Sequence, residues 1–165
     1  MDWNDIDTTH CGVAACAEVL QDRWAILILR DLLAGITRYG DLQRHTGAST
    51  AILANRLRDF IAAGIIQEQT YAVKGQRRRN EYVVTPKGLS LSIVLGAMAQ
   101  FGYDQLPEGE KPLVQFFDTQ TNQKVRVGLV REDGQPIGPS QVRVELDPTA
   151  YSPEFCAPSS RQRKN

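Results

Sequence analysis

Apolar positions recur at intervals of three and four over roughly the first hundred residues and at intervals of two beyond them, so the chain reads as a helical part followed by a β-rich part. Val13, Cys16, Ala17 and Leu20 recur at three and four, one face of a short first helix turned to a core. Asp22 is placed to cap a second helix, residues 24–33, which is apolar on nearly all sides and so belongs in the middle of the fold. Gly35 can stop it in a left-handed conformation. Residues 39–45 form a third helix, Gly47-Ala48-Ser49 a tight turn, and residues 50–63 a fourth helix, capped by Ser49 or Thr50. Two helices joined by so short a Gly-containing turn make a helix-turn-helix.

The fourth helix is two-sided. Leu53, Leu57, Phe60 and Ile61 share the face expected in the core, whereas Ala51, Asn55, Arg58 and Ala62 lie opposite. Gly64 ends it. A β-branched run starts at Ile65-Ile66 and reaches Tyr71, the basic stretch Lys74-Gly75-Gln76-Arg77-Arg78-Arg79-Asn80 follows, and Tyr82-Val83-Val84 completes a hairpin. Thr85 and Pro86 then open a fifth helix that runs to about Tyr103. Its apolar residues cover more than one stripe, which a monomer of this size would struggle to bury. Residues 106–112 read as a linker. Beyond it, Val125, Val127 and Leu129, and then Val142, Val144 and Leu146, alternate with polar residues as two half-buried strands around the turn Glu132-Asp133-Gly134. The fold class is therefore α+β: a winged helix-turn-helix unit with a dimerising C-terminal helix (residues 1–105), a small antiparallel β extension (106–147) that must pack on the helices or on a second chain, and a tail expected to be disordered (148–165).

Charge sharpens this outline. The 165 residues carry 19 basic and 19 acidic side chains, so bulk charge recommends no polyanionic partner. Its distribution does: residues 36–88 hold nine Lys/Arg against four Asp/Glu, while residues 1–35 hold two against six. No apolar run approaches the roughly 20 residues needed to span a bilayer, and the acidic start leads into no signal-like segment, so a cytoplasmic address is expected. Three cysteines, Cys11, Cys16 and Cys156, suit neither a disulfide framework nor a paired zinc motif.

A helix fits the major groove, and an extended wing reaches the neighbouring backbone. Lys74, Arg77, Arg78 and Arg79 would neutralise phosphates, a contact blind to base sequence and weakened by salt. Ser49, Thr50, Asn55 and Arg58 are short or forked hydrogen-bonding residues on the outward flank of the fourth helix, suited to base edges or to phosphates at the helix start. Arg56 lies beside the core face, where it could touch DNA or bridge to Asp59 or Asp31. A charged hairpin can also be only a solvated turn, and winged helices also serve as protein-binding modules that never touch DNA, so that alternative stands beside the first.

The chain resembles the HxlR-type transcriptional regulators. The likeness rests on Cys11-Gly12-Val13-Ala14, on Asp22-Arg23-Trp24 with Leu27-Ile28-Leu29-Arg30-Asp31-Leu32, on Arg38-Tyr39-Gly40-Asp41-Leu42-Gln43, on Leu53 with Arg56-Leu57-Arg58, on Gly64-Ile65 and Glu81-Tyr82, and on Thr85-Pro86-Lys87-Gly88. It spans about residues 11–103 and keeps the spacing between motifs. It implies a homodimeric winged-helix regulator of the bacterial cytoplasm on a palindromic operator, dimerising through the first and last helices of the domain. It brings Arg38 and Tyr39 into the DNA-facing set.

Where the family usually has Cys-Pro, this chain has Cys11-Gly12. Some relatives use that cysteine as a redox sensor, and Cys11, at a helix start beside His10, is either a thiol of that kind or an inert interface residue. Longer members carry cysteine pairs in the β extension that look like a zinc site, but residues 104–155 contain no Cys or His, so neither a metal nor another cofactor is expected. His10 and His45 have no catalytic company, and no enzyme activity is expected. The expected partners are operator DNA, a second copy of the chain, and a small-molecule or oxidant effector of unknown identity.

Overall fold

The computed structural model describes residues 11–71 and 79–145. Helix α1 (Gly12–Leu20) leads through Gln21 into α2 (Arg23–Leu33), whose first turn is capped by the Asp22 carboxylate accepting from the Ala25 N–H at 2.9 Å. As its all-round apolar sequence requires, α2 lies at the centre and packs against α1, α3 (Tyr39–Thr46), α4 (Thr50–Ala62), strand β2 (Arg79–Val84) and α6 (Ser92–Tyr103). Ala25, Ile28, Leu29 and Leu32 of α2 meet Leu42 of α3, Leu53, Leu57 and Phe60 of α4, and Ile65 and Ile66 at the start of the wing, all nearly or fully buried. Each such Leu, Ile or Phe side chain contributes about 1.5–3 kcal/mol relative to exposure.

One charge sits inside this core. Asp31 is 1% exposed, and each carboxylate oxygen has a partner: Oδ1 accepts from Arg30 Nε at 2.8 Å and Nη2 at 2.7 Å, and Oδ2 lies 2.6 Å from His45 Nδ1 of α3. A buried carboxylate is tolerable only when so satisfied.

Strands β1 (Ile66–Tyr71) and β2 form an antiparallel hairpin from Ile66↔Val84 to Tyr71↔Arg79. Next comes α5 (Pro86–Ser90), tied closely to the end of α4. The Thr85 hydroxyl accepts from the Gly88 N–H at 3.1 Å and lies 2.7 Å from the Gly64 carbonyl, and Lys87 Nζ donates to the Ala63 carbonyl at 2.8 Å. Gly88 is buried so tightly that a Cβ there would stand 2.2 Å from the Ile65 carbonyl oxygen.

The structure departs from the sequence expectations in four places. The single helix expected from Pro86 to Tyr103 is broken at Leu91 into α5 and α6. Ser90 Oγ donates to the Lys87 carbonyl at 2.7 Å, a back-bond that bends helices, and the Leu91 N–H turns to the Gly88 carbonyl three residues back. Ile61 is 41% exposed, because 100° per residue carries it to the flank of the Leu53–Leu57–Phe60 face. The α1 face expected in the core is not buried: Val13 and Ala17 are exposed and Cys16 is half-buried in a groove between α1 and α2, since α1 adds no fully buried residue to the core.

The fourth departure is the β extension. Its two expected strands are instead two short hairpins, β3 (Phe116–Phe117) with β4 (Lys124–Val125) and β5 (Leu129–Val130) with β6 (Pro136–Ile137). The turn at Glu132-Asp133-Gly134 is present, with Gly134 at φ +83, but it closes on the nearest residues. Gly138 and a 3₁₀ turn, Pro139–Gln141, follow at once and keep Val142 and Val144 out of any ladder. Val125, Leu129, Val130, Val142 and Val144 are exposed, not half-buried. The extension does pack on α6, where Gly96 faces Val127 and Phe116 and the Tyr103 hydroxyl accepts from the Val114 N–H at 3.0 Å. The tail expected from residue 148 lies outside the described residues.

Candidate nucleic-acid interface

The α3–α4 junction is built by local hydrogen bonding. Gly47 ends α3 at φ +73, its N–H bonding to the Gln43 carbonyl at 2.9 Å. Thr46 bridges the turn, donating to the Leu42 carbonyl at 2.7 Å and accepting from the Ala48 N–H at 3.2 Å, while Ala48 is buried beneath. Of the two capping candidates Ser49 does the work, its Oγ accepting from the Ile52 N–H at 3.3 Å.

Thr50 is braced from α3 instead. The Tyr39 hydroxyl donates to the Thr50 carbonyl at 3.0 Å, and Gln43 Nε2 donates to Thr50 Oγ1 at 3.0 Å. Gln43 is the participant that sequence reading overlooked; its position one helical turn after Tyr39 was the available signal. From this braced start α4 presents Ser49, Thr50, Ala51, Asn55 and Arg58, all exposed. Arg58 Nη1 donates to Asn55 Oδ1 at 3.1 Å, so the two polar side chains of this flank are pre-aligned.

Arg56 does not join them. It is on the core side, with Nη1 at 2.7 Å from Asp59, Nη2 at 3.3 Å from Asp22 and a further bond to the Gln21 carbonyl oxygen of the side chain. Of the bridges considered from sequence, the one to Asp59 is present, whereas Asp31 is taken by Arg30 and His45.

The wing is stitched to this unit. Tyr82 N–H donates to the Thr37 carbonyl at 2.8 Å, Thr37 Oγ1 lies 3.3 Å from Glu81, and Arg38, exposed at the N-cap of α3, forms a backbone bridge with Glu81. The base of the hairpin is thereby fixed relative to α3 and α4. Lys74, Arg77 and Arg78 lie outside the described residues, and Arg79 is placed by its backbone pairing with Tyr71. Within the hairpin, burial first, and then the Glu68 carboxylate opposite, push the Tyr82 phenol above its usual value of 10.0.

Cys11 stands at the N-cap of α1, half-exposed and a free thiol, as is Cys16. His10 and Cys156 lie outside the described residues. Among the described residues no group of three or more His, Cys, Asp or Glu could hold a metal ion, and no helix is long and apolar enough to cross a membrane.

A family model described as HxlR-like helix-turn-helix matches residues 19–110. An uncharacterised HTH-type transcriptional regulator of Mycobacterium tuberculosis is 32% identical over 101 residues, a match spanning 61% of this chain and 63% of the relative. The chain thus covers less than two thirds of that relative's length. An uncharacterised HTH-type transcriptional regulator of Synechocystis is 36% identical over 104 residues, 62% of this chain and 76% of the relative. Among solved structures, the crystal structure of PA1607, titled as a candidate transcription factor, superposes with a TM-score of 0.70 at 31% identity, covering 84% of this chain and 96% of that one. Residues 1–110 are two thirds of the chain, so this likeness reaches into the β extension.

Proposed function

Because the chain belongs to the HxlR-like helix-turn-helix family, we propose that it is a sequence-specific DNA-binding transcriptional regulator, acting as a homodimer on a palindromic operator. The observation that carries this reading is the outward flank of α4: a polar, exposed face whose first turn is braced by Tyr39 and Gln43 and whose Asn55 and Arg58 are hydrogen-bonded to each other. Docked in a major groove, Ser49 and Thr50 meet phosphates at the helix start while Asn55 and Arg58 reach base edges. Lys74, Arg77, Arg78 and Arg79 on the wing supply sequence-blind phosphate contacts, and Arg38 and Tyr39 contact backbone at the start of α3. Arg56 braces α4 against α2.

Dimerisation is supported by apolar side chains left exposed on the outer helices: Val13 of α1 at 80%, Ile93 at 64% and Phe101 at 71% on α6. A symmetric pair would place two copies of α4 about 34 Å apart, one turn of duplex.

The test is a salt titration with a random duplex and with fragments selected from genomic DNA. Asn55→Ala is expected to lower discrimination between selected and random DNA by about 1–3 kcal/mol, whereas Arg78→Ala weakens both alike and flattens the salt slope by about one. A protein-docking adaptor would show little affinity for either duplex at low salt, and that result would sink the DNA-binding reading.

A further inference from the structure

Helix α6 has two apolar faces, and they serve different occupants. Ile93, Ala97 and Phe101 follow one another at intervals of four on the outer side. Leu95 and Met98, with Tyr103 a little further on, face the opposite way into a cavity of about 510 Å³ whose remaining walls include Leu33 of α2 and Phe116 of β3. The cavity is open to solvent on one side and is lined by α2, α5, α6 and β3 of one chain, and the hydrogen bond from the Val114 N–H to the Tyr103 hydroxyl holds the β extension beside it. Its volume lies within the roughly 300–1,000 Å³ typical of small-molecule sites.

The chemistry of the lining selects the ligand. The wall is almost wholly apolar, and the charged residue that lines it, Arg30, already has its charge answered by Asp31 through Nε and Nη2. An anion entering here would meet the Asp31 carboxylate across the same guanidinium, and a cation would find no counter-charge in the lining. Tyr103 still has its own hydroxyl proton to donate, because it accepts from Val114. We propose that this cavity binds a small, uncharged, predominantly apolar molecule carrying a hydrogen-bond acceptor. The proposal goes beyond the DNA-binding reading and needs none of it.

The chain contains two methionines, Met1 and Met98, so the full-length protein labelled with ¹³C at the methionine methyls has one reporter in the cavity wall and one internal reference. The probes are 2-naphthol and 1-adamantanol, with 2-naphthoate as the charged counterpart. Saturable shifts of the Met98 methyl are expected with both neutral probes, with 2-naphthoate at least tenfold weaker and Met1 unmoved. Ala99→Phe, which fills the cavity, should abolish the shift. Phe116→Ala, which removes one wall at a residue 38% exposed and so spares the fold, should weaken binding at least tenfold. The proposal is overturned if neither neutral probe moves Met98 at millimolar concentration, or if naphthoate binds equally well. It is overturned also if Ala99→Phe changes the oligomeric state, since a second copy of the chain would then be the occupant. No DNA enters the measurement, so its failure cannot be confused with failure of the DNA-binding reading.

Discussion

Gly88 is the residue at which the winged unit tolerates least change. A methyl group there would press into the Ile65 carbonyl oxygen and the Val84 side chain, and backbone on the far side cannot rotate away. Gly88→Ala is expected to destabilise the protein by about 1–3 kcal/mol despite the better helix propensity of alanine, read as a lower midpoint in urea unfolding. Tyr82 gives a second prediction. Its phenol is held above the usual value, so the stability it contributes is present below pH 10.0 and is lost as pH rises through the folded value. The fall in urea midpoint between pH 9 and pH 11.5 should be shallower in Tyr82→Phe than in the parent. The motif Thr85-Pro86-Lys87-Gly88 was visible in the sequence as a helix start, but the reason for its glycine was not. A close approach to a distant carbonyl leaves no local trace. The same holds for Asp31, which reads as one charge in an apolar helix until His45, fourteen residues on, is seen to complete its hydrogen bonding.

At the scale of elements, what was legible followed the strength of local signals. Helices α1 to α4 and the first wing strand lie within a residue or two of the expected limits, because caps and turn glycines mark their ends: Asp22, Ser49, Gly47 and Gly64. The second strand starts at Arg79, three residues before the expected Tyr82. Ser49→Ala should cost about 1 kcal/mol by removing the cap of α4, and random-duplex affinity should fall with it if the hydroxyl also meets a phosphate. The break at Leu91 was hidden, since a hydrophobic pattern that continues through a kink looks like one helix. In the β extension the alternation was genuine but short, and pairing was decided by turn closure, not by alternation. The exposed polar flank of α4 was legible from periodicity alone; its bracing by Gln43 depends on the angle between two helices, which periodicity does not encode.

At the scale of the whole molecule, the apolar stripe of Ile93 and Phe101 makes the oligomeric state a direct test of the dimer reading. The double variant Ile93→Glu with Phe101→Glu is expected to sediment as a monomer. It should also bind a single half-site and a full palindrome with similar affinity, whereas the parent favours the palindrome by at least tenfold. A parent that already sediments as a monomer would remove the basis for a two-fold operator.

Helix α2 touches α1, α3, α4, α6 and the second wing strand, whereas the β extension is joined to α6 through Phe116, Val127 and the Val114–Tyr103 bond. Cooperativity is therefore unevenly shared. Amides of α2 exchange with solvent only on global unfolding, those of β3 to β6 exchange through a separate and shallower opening, and calorimetry should resolve a small early transition ahead of the main one.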